Sequence, residues 1–168
     1  MTSKERLKRQ LLATRELSER LLADFQKPED WVFQVHPGSN HALWFVGHMA
    51  STDNFLLSLL AGKRSSELSS YSGLFGMGSN PTGQAQDYPP AQDVLSTMRE
   101  RRATLLQVLE DLQEEDLSTP TPDGTPDFLP DYASIFDMAN WHERQHIGQL
   151  TVTRRALGYQ PILPSPQS

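Results

Sequence analysis

The sequence predicts an all-α protein, folded as a four-helix bundle with two long connections. Apolar residues recur with the 3.6-residue period of a helix in four separate segments, and no segment shows a convincing strand alternation. The 12 prolines and 10 glycines cluster between these segments and after the last one. A chain of 168 residues has the size of one ordinary domain. We therefore expect a single bundle domain over residues 1–168, with a loose tail after about residue 160.

The first segment predicts a helix from about Ser3 to Phe25. Ser3 is expected to cap its start, and Pro28 lies beyond its end. Basic residues near its start alternate with glutamates, which indicates a solvated face rather than a binding patch. Five leucines recur along it at helical spacing: Leu7, Leu11, Leu17, Leu21 and Leu22.

The second segment predicts a helix from about Asn40 to Leu60, apolar around most of its girth as expected of a central helix. Ser39 or Asn40 is expected as its N-cap and Gly62 as its C-terminal stop. Residues 62–90 then form a connection of a length that is often a lid or a binding loop. Its apolar residues predict that it packs against the bundle, with a short helical turn: Tyr71, Leu74, Phe75 and Met77.

The third predicted helix begins after Pro90 and runs to about Leu112. A second proline-rich connection follows at residues 119–126. The fourth predicted helix runs from about Asp131 to Leu157. Gly158 is expected to end it, because the prolines that follow prevent its continuation.

Two histidines stand four residues apart in the fourth predicted helix, so His142 and His146 lie on one face, one turn apart. This spacing lets two imidazole nitrogens reach one metal ion. A third histidine, His48, lies in the second predicted helix. Metal sites in bundles are built from inward residues on facing helices. Three nitrogen ligands would leave coordination positions open, as in reactive rather than structural metal sites.

Candidate pocket residues flank these histidines on the same two helices. Two are tryptophans that could form apolar walls, and three are polar residues that could contact a substrate or the imidazole N–H groups. Ordinary packing or solvent exposure accounts for each of them equally well. The candidates are Trp44, Trp141, Thr52, Gln145 and Gln149.

Other ionisable residues near the three histidines are poorly placed to bind the same ion. His41 is seven residues from His48, about 10 Å along the helix axis, so we expect it at most to line the pocket mouth. Asp53 is five residues from His48 and is poorly aligned for the same ion. His36, beside a Pro-Gly pair, is expected at the surface.

The run from His142 to His146 also matches HExxH, a metalloprotease signature in which the glutamate is the general base. In those enzymes a further ligand comes from later in the chain, but no Asp, Glu or His follows His146 here. Glu143 is also rotated about 100° from His142 around the helix. We therefore reject the protease interpretation.

The chain resembles the DinB-like metal-binding four-helix bundles, also called the DinB/YfiT-like superfamily. The resemblance lies in Leu43-Trp44-Phe45-Val46-Gly47-His48, in the run from His142 to Leu150, and in the ending at Gly158 and Pro161. It implies a divalent metal on His48, His142 and His146. Zinc or nickel come first, with iron or manganese as alternatives, since imidazole suits all of them.

The resemblance further implies reaction classes and an assembly. Members with known activity include transferases that use low-molecular-weight thiols such as bacillithiol or mycothiol, and metal-dependent hydrolases; members often dimerise. We therefore expect a metal-dependent hydrolase or thiol transferase acting on a small molecule, with a homodimer as one assembly. The alternatives are a non-enzymatic metal-binding or stress-related interaction protein, and a bundle without metal.

The composition and the distribution of apolar residues argue against two classes of partner, nucleic acids and membranes. A net charge of −6, from 15 basic and 21 acidic residues, argues against nucleic acid. No stretch approaches the ~18–20 apolar residues of a membrane span, and the N-terminus lacks the apolar run of a signal peptide. We therefore expect a cytoplasmic protein with no membrane partner. The sequence holds no cysteine, so neither a disulfide nor a thiolate ligand can form within it.

Overall fold

A computed structural model describes residues 1–162, and the predicted loose tail after about residue 160 lies largely outside them. Within this range the chain forms helices and no named strand, which confirms the predicted all-α class. Four long helices build the bundle, and two short helices lie in the connections. The helices are α1 (Ser3–Leu22), α2 (Pro28–Trp31), α3 (Ala42–Ala61), α4 (Ser69–Phe75), α5 (Ala91–Asp111) and α6 (Tyr132–Ala156).

Two helix starts differ from the prediction. Thr2, not Ser3, caps α1, because its hydroxyl accepts from the backbone N–H of Glu5 while the Glu5 carboxylate accepts from the N–H of Thr2. His41, rather than Ser39 or Asn40, caps α3, where its Nδ1 accepts from the backbone N–H of Trp44 at 3.0 Å. Histidine is outside the usual set of capping residues, so the sequence pattern favoured its polar neighbours.

The C-terminal end of α6 follows the prediction. Gly158 adopts a φ of 85°, in the left-handed region that glycine enters without steric cost. The backbone N–H of Gly158 bonds the carbonyl of Arg155, and that of Tyr159 bonds the carbonyl of Arg154. These two bonds form a Schellman motif, which satisfies carbonyls left free at the helix end.

The four long helices enclose two apolar clusters, one at each end of the bundle. The N-terminal halves of α1 and α6 meet the C-terminal halves of α3 and α5 in one cluster, so α3 and α5 run opposite to α1 and α6. Its buried members include Leu7, Leu57, Leu105 and Ile135. Because α3 and α5 run in the same direction, the connection at residues 62–90 must travel the length of the bundle.

A buried layer of charge separates the two clusters. Each long helix contributes one residue to it: Arg15 from α1, Asp53 from α3, Arg102 from α5 and Glu143 from α6. Arg102 pairs with Asp53 at 2.9 Å and with Glu143 at 2.8 Å, and Arg15 pairs with the same two carboxylates. Two guanidinium groups thus offset two carboxylates, and the layer links the four helices in one register.

The connection at residues 62–90 packs on the bundle through α4. Tyr71 and Phe75 are buried and Leu74 is partly buried, as predicted, whereas Met77 is 97% exposed, so the prediction for that residue was wrong. Met77 follows the end of α4 and thus lies outside its packed face. Among the described helices, none combines the length and apolar character that crossing a membrane requires.

Candidate metal centre

Three imidazoles from two helices converge at one point in the upper half of the bundle, defined as the half that contains the start of α3. His48 extends from α3, and His142 and His146 extend from successive turns of α6. The Nε2 atom of His142 lies 3.2 Å from the Nε2 of His48 and 3.2 Å from the Nε2 of His146. The three potential ligand atoms all lie within 4.8 Å of one another. We call this group the histidine cluster.

The spacing of these nitrogens fits one metal ion. Zinc binds histidine nitrogens at about 2.0–2.1 Å in tetrahedral geometry, which places two such nitrogens roughly 3.3 Å apart. The two Nε2 separations of 3.2 Å are close to this value. Two of the three nitrogen separations thus match one ion, and the histidine cluster could hold a divalent metal.

Hydrogen bonds on the far side of two rings determine which nitrogen carries the proton. The Nδ1–H of His48 donates to the backbone carbonyl of Phe75 at 2.6 Å, and the Nδ1–H of His146 donates to Oε1 of Gln149 at 3.0 Å. That amide oxygen also accepts from Asn40 at 3.1 Å. Because both acceptors lack a proton to give, the Nε2 of each neutral ring has a free lone pair that points into the cluster.

His142 stands between these two lone pairs. Its Nδ1 is buried and has no hydrogen-bond partner among residues 1–162. A proton on its Nε2 could be donated to only one of the neighbouring rings, which would leave the other lone pair unmatched. A cation at the centre would attract all three lone pairs, so the donor set fits a metal better than it fits a hydrogen-bonded trio.

Burial keeps the three rings neutral. It lowers the pKa of His48 and of His142 to about 4, and it also lowers the pKa of His146. A histidine must be neutral to bind a metal, since the proton and the ion compete for one lone pair. At neutral pH the cluster therefore offers three ligands that need not lose a proton first.

Trp44 covers one side of the cluster. Its ring stacks on His48 with centroids 4.3 Å apart and planes 19° apart, and its centroid lies 5.5 Å from that of His146. Its indole N–H donates to the hydroxyl of Ser79 at 2.8 Å. Only 5% of Trp44 is exposed, so this ring shields the cluster from solvent on that side.

The other candidate pocket residues lie at different places. Gln149 bonds His146, whereas Gln145 is exposed, Thr52 is partly buried, and neither side chain hydrogen-bonds an imidazole within the described chain. Trp141 is 59% exposed and lines a surface depression of about 510 Å³ together with Phe128 and other residues. It occupies an outward side of α6, since position 141 is rotated about 100° from position 142.

The structure also places the residues that the sequence set apart. His41 is buried as the cap of α3, with its ring centroid 5.0 Å from that of Tyr88 and the two rings nearly perpendicular. The expectation that it could line a pocket mouth was therefore wrong. His36 is exposed, as predicted. Asp53 is bound by two arginines in the buried charged layer and is thus not available as a fourth ligand.

Glu143 points away from the histidine cluster into the charged layer. It is fully buried, and its carboxylate accepts from Arg15 at 2.8 Å and from the hydroxyl of Ser18 at 2.6 Å. Burial alone would raise the pKa of Glu143, but Arg102 and Arg15 outweigh it and hold the pKa below its usual range. A carboxylate held in this way has a structural role, which agrees with rejection of the HExxH interpretation.

Comparisons with known sequences agree with these features. A family model described as the DinB superfamily matches residues 10–150, a range that includes all three residues of the histidine cluster. A search of curated proteins finds no match to the chain.

Proposed function

The chain belongs to the DinB superfamily, and from that premise we propose that it is a metal-dependent enzyme acting on a small molecule, as a hydrolase or as a thiol-dependent transferase. His48, His142 and His146 would hold the ion, with zinc or nickel as first candidates and iron or manganese as alternatives. In the transferase form, a low-molecular-weight thiol is the proposed co-substrate. The reaction is proposed to take place in the cytoplasm.

The convergence of the three Nε2 atoms carries this proposal. Each of His48 and His146 uses its Nδ1–H for a bond on its outer side, which leaves the inner nitrogen of the ring free. In the described chain, the ligand group contains these three histidines and no carboxylate. A site with three protein ligands is typical of catalytic rather than structural zinc.

The chemistry follows from this donor set. A divalent cation on three neutral nitrogens supplies Lewis acidity, which lowers the pKa of water or of a thiol and polarises a carbonyl group. Backbone and side-chain groups of this protein hold the ligands in place. Gln149 and the Phe75 carbonyl keep the protons on Nδ1, and Trp44 excludes water from one face of His48.

Elemental analysis of the purified protein tests the metal part of this proposal. We expect about one divalent ion per chain in the unaltered protein and none in His48→Ala. His36→Ala is the matched control, because it removes an exposed histidine outside the cluster and should retain the ion. Absence of metal from all three proteins, even after incubation with zinc, nickel, iron and manganese, would overturn the proposal.

A second experiment separates enzyme from non-enzymatic binder. The metal-loaded protein would be assayed with ester, amide and lactone substrates, and with a thiol together with an electrophile. Turnover that disappears in His48→Ala would support the enzyme. A tightly bound ion with no turnover in either assay would favour the non-enzymatic metal-binding alternative.

A further inference from the structure

The short helix α4 is seated on α3 directly beside a proposed metal ligand. Phe75, the last residue of α4, is fully buried and packs against the backbone of Gly47. Its ring is held between Tyr71, with centroids 5.1 Å apart, and Tyr88, with centroids 5.7 Å apart. The position of Phe75 is therefore fixed from several sides.

The same residue contacts His48 through its backbone. The carbonyl oxygen of Phe75 accepts from the Nδ1–H of His48 at 2.6 Å, inside the buried part of the bundle. A second contact comes from four residues further along, where Ser79 accepts from the Trp44 indole that stacks on the His48 ring. The connection thus holds the edge of the His48 ring directly, through the Phe75 carbonyl, and its face indirectly, through Trp44.

We propose that Phe75, seated on Gly47, is a positioning residue for His48, so that the 62–90 connection sets the tautomer and orientation of a metal ligand. The predicted effect on metal affinity rests on the proposed function, in which His48 binds a metal. The underlying geometry does not depend on a metal. A ring oriented by its outer hydrogen bond presents Nε2 to the ion, and loss of such bonds typically lowers metal affinity 10- to 100-fold.

Gly47 is the position at which this arrangement can be tested. A Cβ atom placed there would overlap the Phe75 ring at Cγ and both Cδ atoms, well inside van der Waals contact. The Cγ atom lies on the axis about which the ring rotates, so rotation of the ring cannot relieve the overlap. In Gly47→Ala, Phe75 must therefore leave its seat on α3, and we expect this to shift its carbonyl relative to His48.

Two matched controls carry the same substitution without the overlap. Gly73 lies in α4 and Gly148 in α6, and a Cβ at either position would meet no atom within 4 Å. Alanine has a higher helix propensity than glycine, so Gly73→Ala and Gly148→Ala should fold normally and bind zinc as the unaltered protein does. We expect Gly47→Ala to bind zinc 10- to 100-fold more weakly in a chelator competition.

A double variant tests the mechanism of that loss. Phe75→Ala removes the ring but leaves the backbone carbonyl, which makes room for the added methyl group. In the Gly47→Ala/Phe75→Ala protein, zinc affinity should return to the level of Phe75→Ala alone, above that of Gly47→Ala. A double variant as weak as Gly47→Ala would contradict the steric argument.

A nuclear magnetic resonance readout makes the inference independent of metal. In the metal-free unaltered protein, the imidazole ¹⁵N signals of His48 should show the Nδ1–H tautomer. In Gly47→Ala they should shift towards a mixture of tautomers, while the two glycine controls keep the native signals. If the unaltered protein binds no metal, the proposed function fails, and these signals still decide whether Phe75 positions His48.

Two outcomes would overturn the inference. The first is a folded Gly47→Ala protein with native zinc affinity and an unchanged His48 tautomer. The second is a native result in Phe75→Ala, which serves as the deciding variant if Gly47→Ala fails to fold. Its loss of the seat on Gly47 should weaken zinc binding and mix the His48 tautomers, so native values in Phe75→Ala would contradict the proposal.

Discussion

The Nδ1 atom of His48 lies 2.6 Å from the carbonyl oxygen of Phe75, although 27 positions separate the two residues in the chain. This bond joins a central helix of the bundle to the connection that runs along its length. It also fixes the proton on the outer nitrogen of the ring, so that the inner nitrogen faces His142. The orientation of His48 therefore depends on backbone outside the four long helices.

Gln149 should matter for metal affinity although it does not reach the centre of the cluster. Its Oε1 accepts from the Nδ1–H of His146, and Asn40 holds that oxygen from the other side. Gln149→Leu should lower zinc affinity by roughly 10- to 100-fold, because His146 loses the bond that orients it. Isothermal titration with zinc measures this. Gln145→Leu, an exposed position on the same helix, is the control, and equal losses in both variants would contradict the prediction.

Glu143 should prove necessary for stability and dispensable for metal binding. Glu143→Gln leaves Arg15 and Arg102 with one carboxylate fewer in a buried site, and breaking such a pair costs about 3–5 kcal/mol. Urea unfolding should show this loss while the metal content of the folded variant remains that of the unaltered protein. Glu16→Gln removes an exposed glutamate and should change stability little. A Glu143→Gln protein of native stability with abolished turnover would instead support a general base.

The sequence was sufficient to predict those features that repeat along the chain. The four long helices begin and end within a few residues of the prediction, because each has an apolar face that only burial in a bundle can satisfy. His142 and His146 were predicted as a pair from their spacing on one helix, and His48 was added because it lies in a second predicted helix and through the family resemblance. The helices and the His142/His146 pair depend on local periodicity, which is visible without knowledge of the tertiary contacts.

Features that depend on distant contacts were missed. Arg15 and Glu143 are 128 positions apart, and nothing in their neighbourhoods indicates that they pair in the interior. The Phe75 carbonyl is a backbone atom and leaves no pattern of side chains. Gly47 is a weak signal, because glycine inside a helix costs roughly 1 kcal/mol relative to alanine. It does not stand out in the sequence, since Gly73 and Gly148 also lie in helices and a Cβ there would meet nothing within 4 Å.

The free energy of unfolding of the metal-free protein should fall more steeply with decreasing pH than protonation of its carboxylates alone would cause. Burial lowers the pKa of His41, His48 and His142 to about 4, whereas histidines of the unfolded chain titrate near 6.5. Between about pH 4 and 6.5, these histidines are protonated in the unfolded chain and remain neutral in the folded chain. The free energy of unfolding therefore falls as the pH falls through this range. Above about 6.5 these groups make no difference to the pH dependence.

Urea titrations of the metal-free protein at several pH values between 4 and 7.5 measure this slope. Each unit by which a pKa is lowered corresponds to about 1.4 kcal/mol of linkage. The His48→Gln/His142→Gln protein lacks two of the three histidines whose pKa is lowered to about 4 and should lose much of the slope. His36→Gln, at an exposed position, should retain it. If the double variant keeps the full slope, the acid sensitivity arises elsewhere, and the histidine cluster is not held neutral by burial.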